Sequence, residues 1–151
     1  MRVNELATKT GVSSDTVRYY TRIGLLTPSK NAENGYKNYN TADEKRLHFI
    51  IKSRHLGFSI VEIQEIINMS SSGNSPCCRV REIVKKRLHE AAQTIEELQQ
   101  LHQRMKRAAD TWEAMPDGEP TGDSVCSLIE MWEEIELDEA SLHKISSLTP
   151  E

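Results

Sequence analysis

Apolar positions recur at helical spacing through most of this chain, broken at a few points by glycine, proline or a short polar run. Val3, Leu6 and Ala7 mark a short first helix, and Gly11 ends it with the tight turn that two packed helices require. Ser13 or Ser14 supplies an N-cap for a second helix through about Arg22. Gly24 and Pro28 stop that helix. Asn34-Gly35, followed by Tyr36 and Tyr39 around Lys37 and Asn38, predicts a two-stranded wing. A third helix follows over residues 41–56, with Thr41 as cap, Asp43 and Glu44 in its first turn, and Leu47, Ile50 and Ile51 as its apolar stripe. Gly57 ends it, and Ser59 caps a fourth helix whose buried face is Ile60, Ile63, Ile66 and Ile67. The run SSSGNS over residues 70–75 reads as a linker.

The longest periodic segment covers residues 76–112. Val84, Ala91, Leu98, Met105 and Trp112 repeat every seven residues, with Leu88, Ile95, His102 and Ala109 in the second position of the same heptad. A helix of this length spans roughly 50 Å, too long to bury its seam by folding back on a small domain, so the pattern predicts a coiled coil with a second copy. An intramolecular packing helix is the alternative. After Trp112 the pattern gives way to a loop with two prolines and two glycines. A short amphipathic helix is then predicted over residues 126–136, with Leu128, Ile129, Trp132 and Ile135 on its apolar side. The acidic remainder, residues 137–151, has the composition of a partly disordered tail. The fold class is mainly α.

At 151 residues and 37% apolar content, the chain buries one modest core. Its net charge of −4 hides a gradient: residues 1–60 carry +5, residues 61–110 carry +1 and residues 111–151 carry −10. The positive end suits phosphates, while the tail repels them. The absence of a long apolar run argues against a membrane span. The polar start lacks a secretion signal, and three cysteines, an odd number, point to a reducing cytoplasm. No phosphate loop, HExxH or nucleophile elbow appears, so an enzyme is not expected.

The predicted second helix carries Thr16, Arg18, Tyr19, Tyr20 and Arg22, which combine cations with hydroxyl donors. Arginine can fork onto a phosphate or a guanine, and tyrosine can donate to a phosphate oxygen. Tyr36, Lys37 and Asn38 on the wing would hold the flanking backbone. Alternatively, one of the two adjacent tyrosines belongs to the core and Arg18 pairs with Asp15.

TVRYY followed by GLL, the NGY-x-x-Y wing and the LGFS start of the fourth helix occur in the order and spacing of the MerR family, which residues 1–112 resemble. The resemblance implies a winged helix-turn-helix over residues 1–70 and a dimerisation helix over residues 76–112 that pairs antiparallel as a coiled coil. It also implies an effector-binding loop and short helix over residues 113–136. Such a dimer would hold double-stranded promoter DNA whose elements are spaced too far apart for RNA polymerase, and its effector would distort the DNA to realign them, a form of indirect readout. Lys37 stands where the family's wing commonly has arginine, which loses a bidentate contact. Thr21 stands where an acidic residue often follows the tyrosines.

The cysteines bear on the effector. Asn74 or Ser75 can cap the long helix, Pro76 suits its first position, and Cys77 and Cys78 then fall in a first turn whose partial charge favours thiolate. Cys77 is similar to the cysteine that opens this helix in the family's divalent-metal sensors. Cys126 follows the loop. In the antiparallel dimer that the resemblance implies, Cys77 of one chain would approach Cys126 of the other, giving two equivalent sites. Metal sensors of the family usually have two loop cysteines, and here there is one. Asp117, Glu119, Asp123 or His143 could complete the site, and Cys78 is a further candidate ligand. Zinc, cadmium, lead and mercury are the expected ions, with a copper(I) sensor or a thiol-based sensor of electrophiles or oxidants as alternatives. Each cysteine also fits a small buried apolar residue. His102 reads as a polar group that sets the register of the seam, and His48, His55 and His89 as surface or packing residues.

Overall fold

The computed structural model describes residues 1–133. Ile135 and Glu136 of the last predicted helix, His143 and the acidic segment 137–151 therefore lie outside the described residues. Two compact units divide the chain, Met1–Leu88 and the residues from His89 onward.

In the first unit, α1 (Val3–Thr10) ends where Gly11 adopts φ 73°, a left-handed conformation that allows the chain to turn directly into α2 (Ser14–Arg22). Ser13 is the N-cap of α2, its hydroxyl accepting from the Thr16 amide at 3.1 Å. The wing consists of β1 (Ser29–Lys30) and β2 (Lys37–Asn38), paired antiparallel with Ser29 opposite Asn38 and Lys30 opposite Lys37.

Asn34-Gly35 does not form the expected two-residue turn. A type I′ turn needs positive φ at both central residues, and no described residue other than glycine has it. The loop instead closes through Asn31, whose amide donates to the Tyr36 carbonyl and whose carbonyl accepts from the Gly35 amide, both at 2.9 Å.

The third helix, α3 (Thr41–His55), is capped by Asn40 and not by Thr41. Asn40 Oδ1 accepts from the Asp43 amide and Asp43 Oδ2 accepts from the Asn40 amide, each at 2.9 Å. Such a reciprocal box contributes on the order of 1 kcal/mol. Gly57 then reverses the chain, Phe58 inserts into the core, and Ser59 caps α4 (Ile60–Ser71) as expected, in a second box with Glu62.

One core joins these elements. Leu6 and Ala7 of α1, Val17 and Tyr20 of α2, Leu25, Leu26 and Tyr39 around the wing, Leu47 and Ile50 of α3 and Ile63 and Ile66 of α4 are all buried. Ile83, from the first part of α5 (Cys77–Glu113), completes it. At 37 residues, α5 matches the predicted long helix. Most of its heptad seam is exposed in the single chain, with Leu88 at 71%, Ile95 at 58% and Met105 at 62% accessibility.

In the second unit, the last helix is shorter than predicted: α6 spans Ser127–Glu130, with Met131 as its C-cap. Trp132 packs edge-on against Trp112 near the end of α5, with ring centroids 5.8 Å apart.

Candidate nucleic-acid interface and effector cysteines

Three basic residues of the first unit border one concave surface. Arg2 and Asn4 at the start of α1, Arg18 on α2 and Tyr36 and Lys37 on the wing line a groove of about 460 Å³. Three cations from three elements thus face a single depression, an arrangement suited to a phosphate backbone. Arg18 is held by the Asp15 carboxylate at 2.9 Å, and both side chains are exposed. An exposed pair of this kind is worth about 0.2–1 kcal/mol, so a phosphate can displace Asp15 at little cost. Arg22 lies over the Tyr19 ring and Arg2 over the Tyr36 ring, at 5.4 and 4.9 Å from the centroids.

The adjacent tyrosines separate. Tyr19 is exposed, while Tyr20 is 8% accessible within the core. Tyr20 therefore packs α2 onto the core. Thr16 is half-buried, its hydroxyl within 2.8 Å of Ser13 Oγ. Asn38 Oδ1 accepts from the Met1 ammonium at 2.8 Å, so this atom ties the wing to the residues that lead into α1. Thr21 bonds the Tyr39 hydroxyl at 2.8 Å and fixes the base of the wing to α2. The sequence had not pointed to Arg2 or Asn4. The positive balance of the first 60 residues was the available signal, but it does not say which cations share a surface.

The cysteines are all free thiols: Cys77 and Cys78 are exposed and Cys126 is half-buried. Ser75 Oγ accepts from the Cys77 amide at 3.4 Å, a long contact at the start of α5. Cys126 precedes α6 in extended geometry. Its turn is held by a residue that the sequence did not single out. The Glu130 carboxylate accepts from the Val125 and Cys126 amides at 2.6 and 3.1 Å and from the Ser124 hydroxyl at 2.8 Å. These bonds, the Val125 amide foremost, hold the Glu130 carboxyl below its ordinary range. Gly118 lies against the same turn, where a Cβ would fall 2.2 Å from Ser127 Oγ.

Asp117, Glu119 and Asp123 are exposed. Among the described residues, no group of three His, Cys, Asp or Glu side chains converges to hold a metal ion. Nor is any described helix long and apolar enough to cross a membrane.

Comparison with known proteins agrees with this architecture. The family model described as MerR HTH family regulatory protein matches residues 1–70, and that described as MerR, DNA binding matches residues 44–108. A probable heavy metal-dependent transcriptional regulator of Haemophilus influenzae is 32% identical over 111 residues, which are 74% of this chain and 87% of that protein. The transcriptional regulator MerR of Bacillus megaterium, solved in complex with mercury(II), is 29% identical with a TM-score of 0.54, over 87% of this chain and 98% of its own. The lead(II) complex of PbrR691 from Ralstonia metallidurans shares the fold, with a TM-score of 0.67 at 22% identity over 87% of this chain and 98% of its own. The chain therefore belongs to the MerR family of helix-turn-helix transcriptional regulators.

Proposed function

We propose that the protein acts as a homodimer that senses a soft divalent metal ion and activates transcription by distorting promoter DNA for RNA polymerase. The observation that carries this reading is the exposed apolar seam of α5, with a free thiol at its start and another beyond its end. A seam of this length and exposure calls for a second helix. With antiparallel pairing, Cys77 of one protomer and Cys126 of the other would ligate the ion. Cys78, Asp117 and Asp123 are further donors, and His143 is a donor outside the described residues. The described donors of one chain do not assemble a site alone, which suits a site shared between protomers. Thiolate with carboxylate or imidazole suits zinc or cadmium, and thiolates alone suit lead or mercury. The heavy-metal dependence of the Haemophilus relative and the mercury(II) bound by the Bacillus one favour the same class of effector.

The test is a titration of the reduced protein with zinc, cadmium, lead and mercury salts, read by binding and by promoter transcription, beside Cys77→Ser, Cys126→Ser and Leu98→Asp. Both serine variants should lose metal affinity and induction. Leu98→Asp should sediment as a monomer. Full induction by Cys77→Ser would remove the cross-protomer site. The single loop cysteine and the exposure of Cys77 favour a second reading, a thiol sensor of electrophiles. Induction by an alkylating agent with no metal binding would establish it.

A further inference from the structure

Arg79, two residues after Cys77, leaves α5 for α4. Its guanidinium forks onto Glu65, Nε to Oε1 at 2.8 Å and Nη2 to Oε2 at 3.3 Å, while Nη1 reaches Glu82 at 3.4 Å. Two turns further on, Arg87 donates to Glu62 of α4. Between them Ile83 is 1% accessible and enters the core of the DNA-binding part, with Val80 packed beside it. Residues 79, 83 and 87 are four apart and share one face of α5. The seam residues Val84 and Leu88 are exposed.

This face fixes α4 against α5 by more than apolar contact. A forked guanidinium–carboxylate pair sets orientation as well as distance, and this fork, with the Arg87–Glu62 contact and the buried isoleucine between them, opposes both sliding and rotation. Glu62 also closes the capping box with Ser59, so the first turn of α4 is part of the same assembly. Ile63 and Ile66 of α4 share a core with Val17 and Tyr20 of α2.

We propose that Arg79 and Arg87, through Glu65 and Glu62, are positioning residues that couple the effector cysteine Cys77 to the orientation of the DNA-binding part. The inference rests on the reading of Cys77 as an effector residue. Displacement of the first turn of α5 would reach α4 through the Arg79 fork.

The experiment compares wild type with Arg79→Gln, Glu65→Gln and the swap Glu65→Arg/Arg79→Glu. Zinc, cadmium, lead and mercury salts serve as probes, and each protein is measured for metal affinity, operator affinity, melting temperature and induction. The pair is half-exposed, so all variants should fold. Arg79→Gln and Glu65→Gln should keep metal and operator affinity within about threefold, lose at least about fivefold in induction ratio, and regain it in the swap, the range of an allosteric coupling. Unchanged induction in the single variants overturns the proposal. So does a loss that only tracks operator affinity or melting temperature, or a swap that fails to restore it. A wild type that no probe metal induces refutes the metal reading itself and removes this coupling with it.

Discussion

Replacing Glu62 by Gln isolates the charge in the contact between α4 and α5. Glutamine keeps an oxygen that can accept from the Ser59 amide, so the capping box survives, while the ionic bond to Arg87 is lost. Burial alone would raise the Glu62 carboxyl. The Arg87 hydrogen bond, the Ser59 amide and hydroxyl and the Arg87 charge together outweigh it, and the group is held at about 2 against an ordinary 4.5. At about 1.4 kcal/mol per pH unit, this difference corresponds to roughly 3 kcal/mol, within the usual cost of breaking one side of a buried pair.

The sign follows from the depressed value. The unfolded chain binds the proton more readily than the folded one, so the stabilisation is complete above about pH 4.5 and disappears as pH falls towards about 2. Urea unfolding of the reduced, metal-free protein, at one fixed protomer concentration, should therefore place Glu62→Gln roughly 3 kcal/mol below wild type at pH 7. At pH 3 the gap should shrink to less than half of that. A gap under about 0.5 kcal/mol at pH 7, or one that stays constant on acidification, would refute the assignment.

Two further outcomes follow from the other sites. Lys37→Ala should lower the slope of log affinity against log salt by about 0.9 per protomer, with little change in sequence preference, because a wing lysine neutralises one phosphate; operator titrations from low to moderate salt measure it. Gly118→Ala should displace the loop before α6, since its Cβ meets Ser127; the only two tryptophans form the Trp112–Trp132 contact, so a shift in tryptophan emission, reversed by adding Ser127→Gly, with operator affinity unchanged, checks it.

The helices were legible because their signals are local. Gly11, Ser13, Gly57 and Ser59 act within one turn of the residues they punctuate, and the heptads of α5 depend only on spacing. The cap of α3 was misplaced by one residue because Asn40 and Thr41 can both cap, and the choice falls to the residue three positions later. Counting from Asn40, that residue is Asp43, which returns the hydrogen bond; counting from Thr41 it is Glu44. Spacing could also have separated the tyrosines, since Val17 and Tyr20 lie three apart and share the face that meets Leu6. What stayed hidden joins residues distant in sequence: Arg79 with Glu65, Arg87 with Glu62, and the gathering of Arg2 with Arg18 and Lys37. Each needs the tertiary fold before its members meet.

Release of DNA and distortion of DNA make different demands on the junction between α4 and α5. For release, an effector need only destabilise the bound form, and a loose joint would suffice. For distortion, a displacement at the start of α5 has to arrive at α2 without being absorbed on the way. The linker over residues 72–76 is a poor route, because the Ser75–Cys77 contact that anchors its end is long, at 3.4 Å. The side-chain route is short and stiff: Cys77 to Arg79 within one helical turn, Arg79 to Glu65 by a fork, and α4 to α2 through a continuous core. A typical allosteric coupling is only about 1–3 kcal/mol. Loss of either arginine contact would thus be enough to leave a protein that still binds its effector and its DNA but no longer connects the two.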